Sequence, residues 1–286
     1  MNNSYKYFAN KNTHECFVGL STMDIKINNL EKVNLFASLF QHIKMFTEHI
    51  NIFFSEEKMF IQAMDNSHVS IFEIVIPAMW FDHYSLENMD GVNVNVKIGV
   101  SSTILYNILN STDKTQTIQM AYENGKDTLC ICLKSDTKQV FDKLFEIPLI
   151  ELETELMDIP EIEYQAEISF PSSYFSVLVG QLKKFGDTAQ FKCSETSIEM
   201  FAKSPDQGKM MVEINIEDLE SFSIEENSEL NLSFSLHYLH IICLYSKLSK
   251  EVEIKLHNDY PLKIEYFFGE NALIRFFLAP KIDDDQ

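Results

Sequence analysis

Four segments with apolar residues at helical spacing interrupt a chain that is otherwise dominated by short strands. They cover residues 32–47, 101–110, 171–185 and 235–250. Apolar side chains recur there every three or four positions, which predicts amphipathic helices. The two helices of each pair begin at nearly equal separations along the chain, and strands fill both intervals in the same rhythm. The sequence therefore predicts one helix–strands–helix–strands unit that is used twice.

The strand segments are short and rich in β-branched and aromatic residues. In residues 69–76 and 262–268, apolar side chains largely alternate in a way that is typical of an antiparallel sheet with one buried face. The run from Asn66 to His68 suits a tight turn between two such strands. The predicted fold class is α+β, with two similar domains that each combine antiparallel sheet with two helices.

The domain boundaries follow from this repeat. We expect a first domain over residues 30–147 and a second domain over residues 161–286. Residues 148–160 place acidic side chains between two prolines, which favours an extended connector; a short acidic amphipathic helix is the alternative. Residues 1–29 precede the first unit as an N-terminal extension, either an added strand or a loose arm.

The charge of the chain excludes some classes of protein. Asp and Glu number 43 against 23 Lys and Arg, and the formal charge of −20 argues against a wholesale basic nucleic-acid binder. No apolar run is long enough for a membrane span, and the first residues lack the pattern of a secretory signal. We therefore expect neither a membrane protein nor a secreted one.

The four predicted helices contain lysines and histidines but no acidic residue. This pattern predicts a surface that a polyanion can approach through its phosphates. The candidate residues for such contact are Lys32, Lys44, Lys183, Lys184, His237, His240, Lys247 and Lys250. The alternative is that the helices are simply apolar and buried, which suits residues 101–110 better than the other three segments.

Catalytic and metal-binding chemistry is not indicated. The sequence lacks the glycine-rich nucleotide-binding motifs, the nucleophile elbow and the zinc-protease motif. His237 and His240 could share a metal, but no third ligand is signalled. Asp65 and His68 suggest a catalytic pair, but no nucleophile is signalled nearby, and a turn is the simpler interpretation. We expect no enzymatic activity, no metal and no cofactor.

Several stretches in a fixed order carry a resemblance to a known family. They are IQAMDNSHVSIFEIVI (61–76), FDHY (81–84), IPEIEY (159–164), FGDTAQFKC (185–193), LSFSLHYL (232–239), YPLKIEY (260–266) and LAPKID (278–283). Over roughly residues 30–286 the chain resembles the proliferating cell nuclear antigen (PCNA) family of sliding DNA clamps, of the eukaryotic type. The resemblance implies the DNA clamp fold, in which three subunits join head to tail in a ring. Helices then line a hole for duplex DNA, and sheets form the outer wall.

The resemblance also implies a groove for partner peptides, between the domains and under the connector. In the family, polymerases, ligases and nucleases insert a peptide of the form Gln-x-x-aliphatic-x-x-aromatic-aromatic there. The matching positions here are Met64, His68, Val69, Ile71, Met157, Ile159, Pro261, Phe277, Ala279, Pro280 and Ile282. Exposed apolar side chains rimmed by polar groups mark such binding sites.

The implied function is that of a homotrimeric clamp that tethers DNA polymerase and other replication and repair enzymes to duplex DNA. An ATP-driven clamp loader is an implied partner. The implied location is the nucleus, or the replication compartment of a DNA virus in a host cell. Three alternatives stay open: a subunit of a hetero-trimeric checkpoint-type clamp, a monomeric polymerase accessory factor, and a hydrolase with an unrecognised site.

Five positions depart from the family pattern. Asn107, Asn110, Val177 and Gly180 stand where basic residues are common, so DNA contact is expected to be weaker or shifted. By gapless matching, Glu195 stands where eukaryotic relatives carry a lysine that is ubiquitinated. The expected modification is thereby put in question, and a viral or divergent copy becomes plausible.

Overall fold

The computed structural model describes residues 22–87, 91–137, 139–153 and 155–281. The first half runs β1 Met23–Ile27, α1 Leu30–Phe40, β2 His49–Phe54, β3 Lys58–Met64, β4 Ser70–Pro77, β5 His83–Leu86, β6 Val96–Ser101, α2 Ser102–Leu109, β7 Thr117–Tyr122, β8 Thr128–Lys134 and β9 Lys143–Pro148. The second half runs β10 Ala166–Pro171, α3 Ser172–Leu182, β11 Thr188–Cys193, β12 Ile198–Ser204, β13 Gly208–Ile214, β14 Ser221–Ile224, β15 Leu230–Ser235, α4 Leu236–Ile242, β16 Glu251–Leu256, β17 Leu262–Phe267 and β18 Leu273–Leu278. Both halves have the same order of strands and helices, which confirms the predicted repeat.

The sheets repeat as well. The first half forms a five-stranded sheet in the order β5-β1-β7-β8-β9, and the second half builds the corresponding order β14-β10-β16-β17-β18. The four-stranded order β4-β3-β2-β6 likewise corresponds to β13-β12-β11-β15. Within the chain, β18 pairs antiparallel with β4 and joins one sheet from each half into a nine-stranded sheet. The repeat counterparts of β18 and β4 are β9 and β13. Among the described strands these two are not paired with each other and lie at the outer edges of their sheets.

Helices α1 and α2 begin where short polar residues cap apolar runs. The side chain of Asn29 accepts hydrogen bonds from the N–H groups of Glu31 and Lys32 at the start of α1, and Ser101 caps α2 in the same way. Each helix buries one face on the sheets, and α1 packs beside α2 as α3 packs beside α4. The buried faces are compact apolar stripes, as the sequence pattern predicts.

One apolar core runs through both halves. At the junction, the ring of Phe46 stacks on Phe276 at 5.4 Å between centroids, and Tyr245 lies 5.2 Å from Phe276. Phe72 packs against Phe46 from β4, so that rings from both halves meet under the nine-stranded sheet. Aromatic pairs in such geometry stabilise a core beyond their buried area.

Two helix predictions need correction. The first predicted helix, residues 32–47, is a regular helix only to Phe40, and a 3₁₀ turn at Ile43–Met45 follows. The fourth, residues 235–250, likewise gives way after Ile242 to a 3₁₀ turn at Cys243–Lys247. Helix α1 also begins earlier than predicted and includes Glu31, so the prediction that the helices carry no acid is wrong there. A carboxylate in the first turn interacts favourably with the helix dipole.

The two segments outside the repeat differ from each other. Met23–Ile27 forms β1 between β5 and β7, so the sheet includes residues that the sequence assigned to the extension over 1–29, and residues 1–21 lie outside the described part. The connector follows β9, and residues 149–153 and 155–165 contain neither helix nor strand. None of the helices in the described ranges combines the length and apolarity that a membrane crossing needs.

Candidate functional site

The outward faces of the four helices carry little charge. Among the described residues, the exposed positions within the helices are Leu30, Glu31, Asn34, Thr103, Ile104, Asn107, Ser173, Tyr174, Val177, Gln181 and His237. None of them is a lysine, and His237 is the one predicted DNA-facing residue among them. The predicted lysines lie mainly near the helix ends.

Five of the predicted lysines lie in or after the last helical turns. Lys44 belongs to the turn Ile43–Met45, with its Nζ 5.0 Å from the centroid of the Tyr106 ring. Lys183 and Lys184 follow α3 directly, and Lys247 ends the 3₁₀ turn after α4. All four are exposed, as is Lys250 three residues further on. Cations at these ends also interact favourably with the helix dipole, so their placement has a structural as well as a functional reason.

Lys32, which was predicted to face DNA, makes its contacts within the chain. Its Nζ donates to the carbonyl oxygen of Trp80 at 2.6 Å and forms an ion pair with Glu270 at 3.0 Å. The side chain is only 20% exposed. Lys32 therefore joins helix α1 to the turn between β17 and β18, which is a contact within the chain.

The remaining positive groups come together around two histidines. Burial lowers the pKa of His42, and Lys247 and Lys44 lower it further. Burial also lowers the pKa of His240, together with Lys183 and His237. Positive charges lower the pKa of a histidine only from nearby, so Lys44 and Lys247 lie close to His42, and Lys183 and His237 lie close to His240. The group around His42 includes residues of both halves of the chain.

The hairpin between β3 and β4 is held by Asp65. Its carboxylate accepts hydrogen bonds from the N–H groups of Ser67 at 2.7 Å, Val69 at 2.8 Å and Ser70 at 2.5 Å, and from the hydroxyl of Tyr238 at 2.7 Å. Burial alone would raise the pKa of Asp65, but these hydrogen bonds outweigh it, and the pKa lies below its ordinary value. A carboxylate with this set of partners has a structural role in the turn.

His68 adopts the conformation that the turn demands. Its φ of 57° is left-handed, and its N–H donates to the carbonyl oxygen of Asp65 at 3.0 Å. The side chain is exposed at the tip of the hairpin. These contacts favour the turn interpretation of Asp65 and His68 over a catalytic pair.

An apolar row crosses three neighbouring strands on the outer face of the nine-stranded sheet. Met64 on β3 lies opposite Ile71 on β4, which lies opposite Phe277 on β18. The alternate residues of β4, including Phe72, point into the core. Met64 and Ile71 are half-buried, whereas Phe277 is only 7% exposed. The β3–β4 hairpin and the distant strand β18 thus contribute to one surface.

The C-terminal segment flanks this apolar row. The N–H of Ala279 donates to the carbonyl oxygen of Val69 at 3.0 Å, and that of Lys281 donates to Ser233 at 2.7 Å. Pro280 and Pro261 are exposed next to it. Ile282, which the sequence also assigned to the groove, lies outside the described residues.

The connector is fastened beside the apolar row by a side chain that sequence reasoning missed. Nε2 of Gln62 donates to the carbonyl oxygen of Met157 at 2.9 Å, and the N–H of Met157 donates to Oε1 of Gln62 at 2.6 Å. Met157 and Ile159 are half-buried. Met157 of the predicted groove is therefore held close to β3, two residues before Ile159.

The other end of the connector is fixed by close backbone contact at β6. The N–H of Ile150 donates to the carbonyl oxygen of Gly99 at 2.8 Å, and a Cβ on Gly99 would clash with the carbonyl of Ile150. Nζ of Lys97 and Nδ2 of Asn51 donate to the carbonyl oxygen of Leu152 at 3.0 and 3.3 Å. A glycine within a strand often marks such an approach, and this signal was available in the sequence.

A charged row lies beside the apolar row, one step along the same strands. Gln62 donates to Glu73 at 2.9 Å, and the Arg275 guanidinium lies at ion-pair distances from Glu73 (3.6 Å) and Glu265 (3.4 Å). Lys263, which lies opposite Phe277 on β17, forms an ion pair with Glu265 at 3.1 Å. The single arginine of the chain therefore lies on the outer face of the sheet, where it links strands of both halves.

Exposed apolar residues mark the two sheet edges that correspond to the internal junction. Leu144 on β9 is 45% exposed, and Met211 on β13 is 55% exposed. Phe145 and Met210, which point to the other faces of these strands, are half-buried. Large apolar side chains on an open strand edge favour association with another chain.

The described residues contain no group of three or more His, Cys, Asp or Glu side chains that could hold a metal ion. Glu195 stands where the resemblance places a lysine in eukaryotic relatives. Its Oε1 accepts a hydrogen bond from the N–H of Asn227 at 2.7 Å. Asn227 has a φ of 60°, so the glutamate supports a strained turn.

Comparison with known proteins covers almost all of the described chain. Residues 23–156 match the family model of the proliferating cell nuclear antigen N-terminal domain, and residues 158–281 match that of its C-terminal domain. The chain is similar to the proliferating cell nuclear antigen of Chaetomium thermophilum, with 30% identity over 263 residues. That match covers 90% of this chain and 98% of the relative.

Proposed function

This chain belongs to the proliferating cell nuclear antigen family of non-enzymatic sliding clamps, and we propose that it forms a homotrimeric ring that tethers polymerases to DNA through the apolar row beside the connector. Ring-shaped homotrimers are characteristic of the family, and its members serve DNA replication and repair. The proposed location is accordingly the nucleus, or the replication compartment of a DNA virus.

The observation that carries the proposal is the repeated junction. Inside the chain, β18 of the second half pairs with β4 of the first half. The repeat counterparts of these strands, β9 and β13, lie at the outer edges of their sheets. A second copy can place its β9 against β13 of the first. Such a head-to-tail contact gives a ring when the rotation between copies closes, and we propose that it closes after three copies.

The register of the internal junction carries over to the proposed one. The pair Phe276–Phe72 corresponds to Phe145–Met210, and the pair Arg275–Glu73 corresponds to Leu144–Met211. Both proposed pairs are apolar. Burial of such side chains contributes roughly 25 cal/mol for each Å² removed from water, which favours a stable junction.

The DNA-facing role of the helix ends is part of the proposal. The exposed lysines and the clusters around His42 and His240 can contact phosphates, while the neutral middles of the helices bring no strong attraction. Contact of this kind is weak, salt-dependent and independent of sequence. Enclosure by a closed ring then supplies the long residence on DNA that these contacts alone do not.

The peptide groove is proposed around Met64, Ile71 and Phe277, with Met157 and Ile159 above them. The row is apolar and partly exposed, and a charged row borders it on one side. We expect it to bind peptides of the form Gln-x-x-aliphatic-x-x-aromatic-aromatic from DNA polymerase and other partners. An ATP-driven loader that opens the ring is a further proposed partner.

Native mass measures the assembly directly. We expect a species of about three times the subunit mass of 33.2 kDa. A chain that forms a ring only when mixed with other subunits would support the hetero-trimeric checkpoint-type clamp. A persistent monomer that leaves circular and linear DNA equally when salt is raised would support the monomeric accessory factor.

Substitution in the apolar row tests the groove. Ile71→Ser should weaken binding of a labelled peptide of the stated form, by about 2 kcal/mol or more if Ile71 is a hot spot. Val75→Ser is the matched control, because Val75 lies on the same face of β4 beyond the charged row. Equal peptide affinity for both variants would remove the groove from the proposal. The double change Ile159→Ala with Phe277→Ala should weaken binding further.

A further inference from the structure

Phe141 is the most exposed large apolar side chain in the described part of the chain. It lies between β8 and β9 with 84% of its surface exposed. The backbone around it is held in place, since Nε2 of Gln116 donates to the carbonyl oxygen of Phe141 at 2.8 Å. The N–H of Ser135 also donates to the Asp142 carboxylate at 3.1 Å. An exposed phenylalanine that is held in place next to an open strand edge indicates a site of contact with another protein surface.

The internal junction shows where the corresponding loop makes contact. The β8–β9 loop corresponds to the turn between β17 and β18 in the second half. Within the chain, that turn meets helix α1 and the segment after β4: Glu270 forms an ion pair with Lys32 at 3.0 Å, and Nε1 of Trp80 donates to Phe268 at 3.4 Å. By the repeat, the β8–β9 loop of one copy should meet α3 of the next copy.

An alignment of α3 with α1 identifies the residue of α3 that the β8–β9 loop should contact. The caps Asn29 and Pro171 correspond, and the buried residues Val33 and Phe36 then correspond to Phe175 and Leu178. With this alignment, Lys32 corresponds to Tyr174. Tyr174 is 57% exposed, and so is Val177 three residues further along the same face.

We propose that Phe141 of one subunit packs against Tyr174 and Val177 of the next subunit in the ring. This inference rests on the proposed ring and assigns a specific aromatic contact to each of its junctions. The internal junction uses an ion pair at this place, whereas the junction between copies uses two aromatic rings and a valine. The occupant is a second copy of this chain, because Phe141 lies just before the β9 edge with Leu144, which the proposed junction places against Met211 on β13 of the next copy.

A double-mutant cycle on the trimer dissociation constant tests the contact. Phe141→Ser and Tyr174→Ser should each weaken the trimer, by roughly two- to tenfold for each junction, the range that aromatic pairs give. The double variant should be no weaker than the weaker single variant, since both remove the same contact. The dissociation constant is measured by analytical ultracentrifugation over a dilution series, with Met79→Ala as the control for loss of an exposed apolar side chain (72%) elsewhere.

A charge swap gives an independent readout. Phe141→Lys alone should weaken the trimer, and Phe141→Lys combined with Tyr174→Glu should restore it at low salt but not at high salt. Strictly multiplicative effects of the two serine variants, or no rescue by the charge swap, would overturn the contact. A Tyr174→Ser effect on DNA retention with an unchanged trimer would overturn it too, and would place Tyr174 on DNA.

The test also separates this inference from the ring itself. Leu144→Asp should dissociate the trimer whether or not Phe141 contacts Tyr174. If Leu144→Asp leaves the native mass unchanged, the proposed junction of β9 with β13 fails. If Leu144→Asp dissociates the trimer while the cycle shows no coupling, only the aromatic contact fails.

Discussion

Replacement of Gln62 by leucine should release the connector from the sheet. Gln62→Leu removes both hydrogen bonds to the backbone of Met157, at 2.9 and 2.6 Å, and one to Glu73 at 2.9 Å. Each hydrogen bond contributes about 0.5–1.5 kcal/mol net. The two connector bonds together therefore hold the segment by roughly 1–3 kcal/mol, and their loss should favour local opening about 5- to 150-fold.

Amide hydrogen exchange over residues 150–160 measures this opening. We expect faster exchange there in Gln62→Leu, together with weaker peptide binding, because Met157 and Ile159 lose their fixed place beside the apolar row. Gln119→Leu is the matched control: Nε2 of Gln119 donates to Asp24 at 2.7 Å from a strand in the other sheet of the first half. Unchanged connector exchange in Gln62→Leu, or equal acceleration in Gln119→Leu, would refute the role assigned to Gln62.

Three further changes address DNA, pH and the hairpin. Lys44→Glu with Lys184→Glu should shorten retention on nicked circular DNA, measured by clamp-release kinetics, with the native mass unchanged. DNA affinity should rise as pH falls below about 6.5, because His240 has a lowered pKa and gains charge only there; His240→Gln should flatten that dependence in a binding titration. Asp65→Asn should lower unfolding free energy at pH 7 by about 1–3 kcal/mol. Because the native pKa of Asp65 lies below its ordinary value, wild type should lose this advantage as pH falls below about 4, as urea titrations at several pH values can show.

Sequence periodicity predicted the helices but not where their lysines lie or which partners they have. The segment over 32–47 had helical spacing throughout, yet the chain changes to a 3₁₀ turn at Ile43–Met45. Lys44 therefore lies at the end of the helix and not along its face. Lys32 has the right spacing to face outward, but Glu270 pairs with it from a turn more than 200 residues away. No local pattern can predict a partner at that separation.

The family resemblance predicted the residues of the groove, but it did not predict the hydrogen bonds that hold the connector beside them. Met64, Ile71 and Phe277 were named from matching motifs, whereas Gln62, which fastens the connector, was missed. Its position in a strand gives it no local signal, and its role depends on the path of a segment that has no regular structure. The chain contains a single arginine, Arg275, whose ion pairs with Glu73 and Glu265 depend on how three strands are ordered.

The sequence by itself determined the repeat, the α+β class and the hairpin at Asp65, because these depend on local periodicity and on turn chemistry. Tertiary structure alone decided which strand edges meet inside the chain and which stay open, since β18 and β4 come together only when both halves have folded. It also decided which lysines remain exposed and where the connector lies. Those outcomes follow from pairing between distant segments, in which hydrogen bonds and buried area, and not neighbouring residues, select the partner.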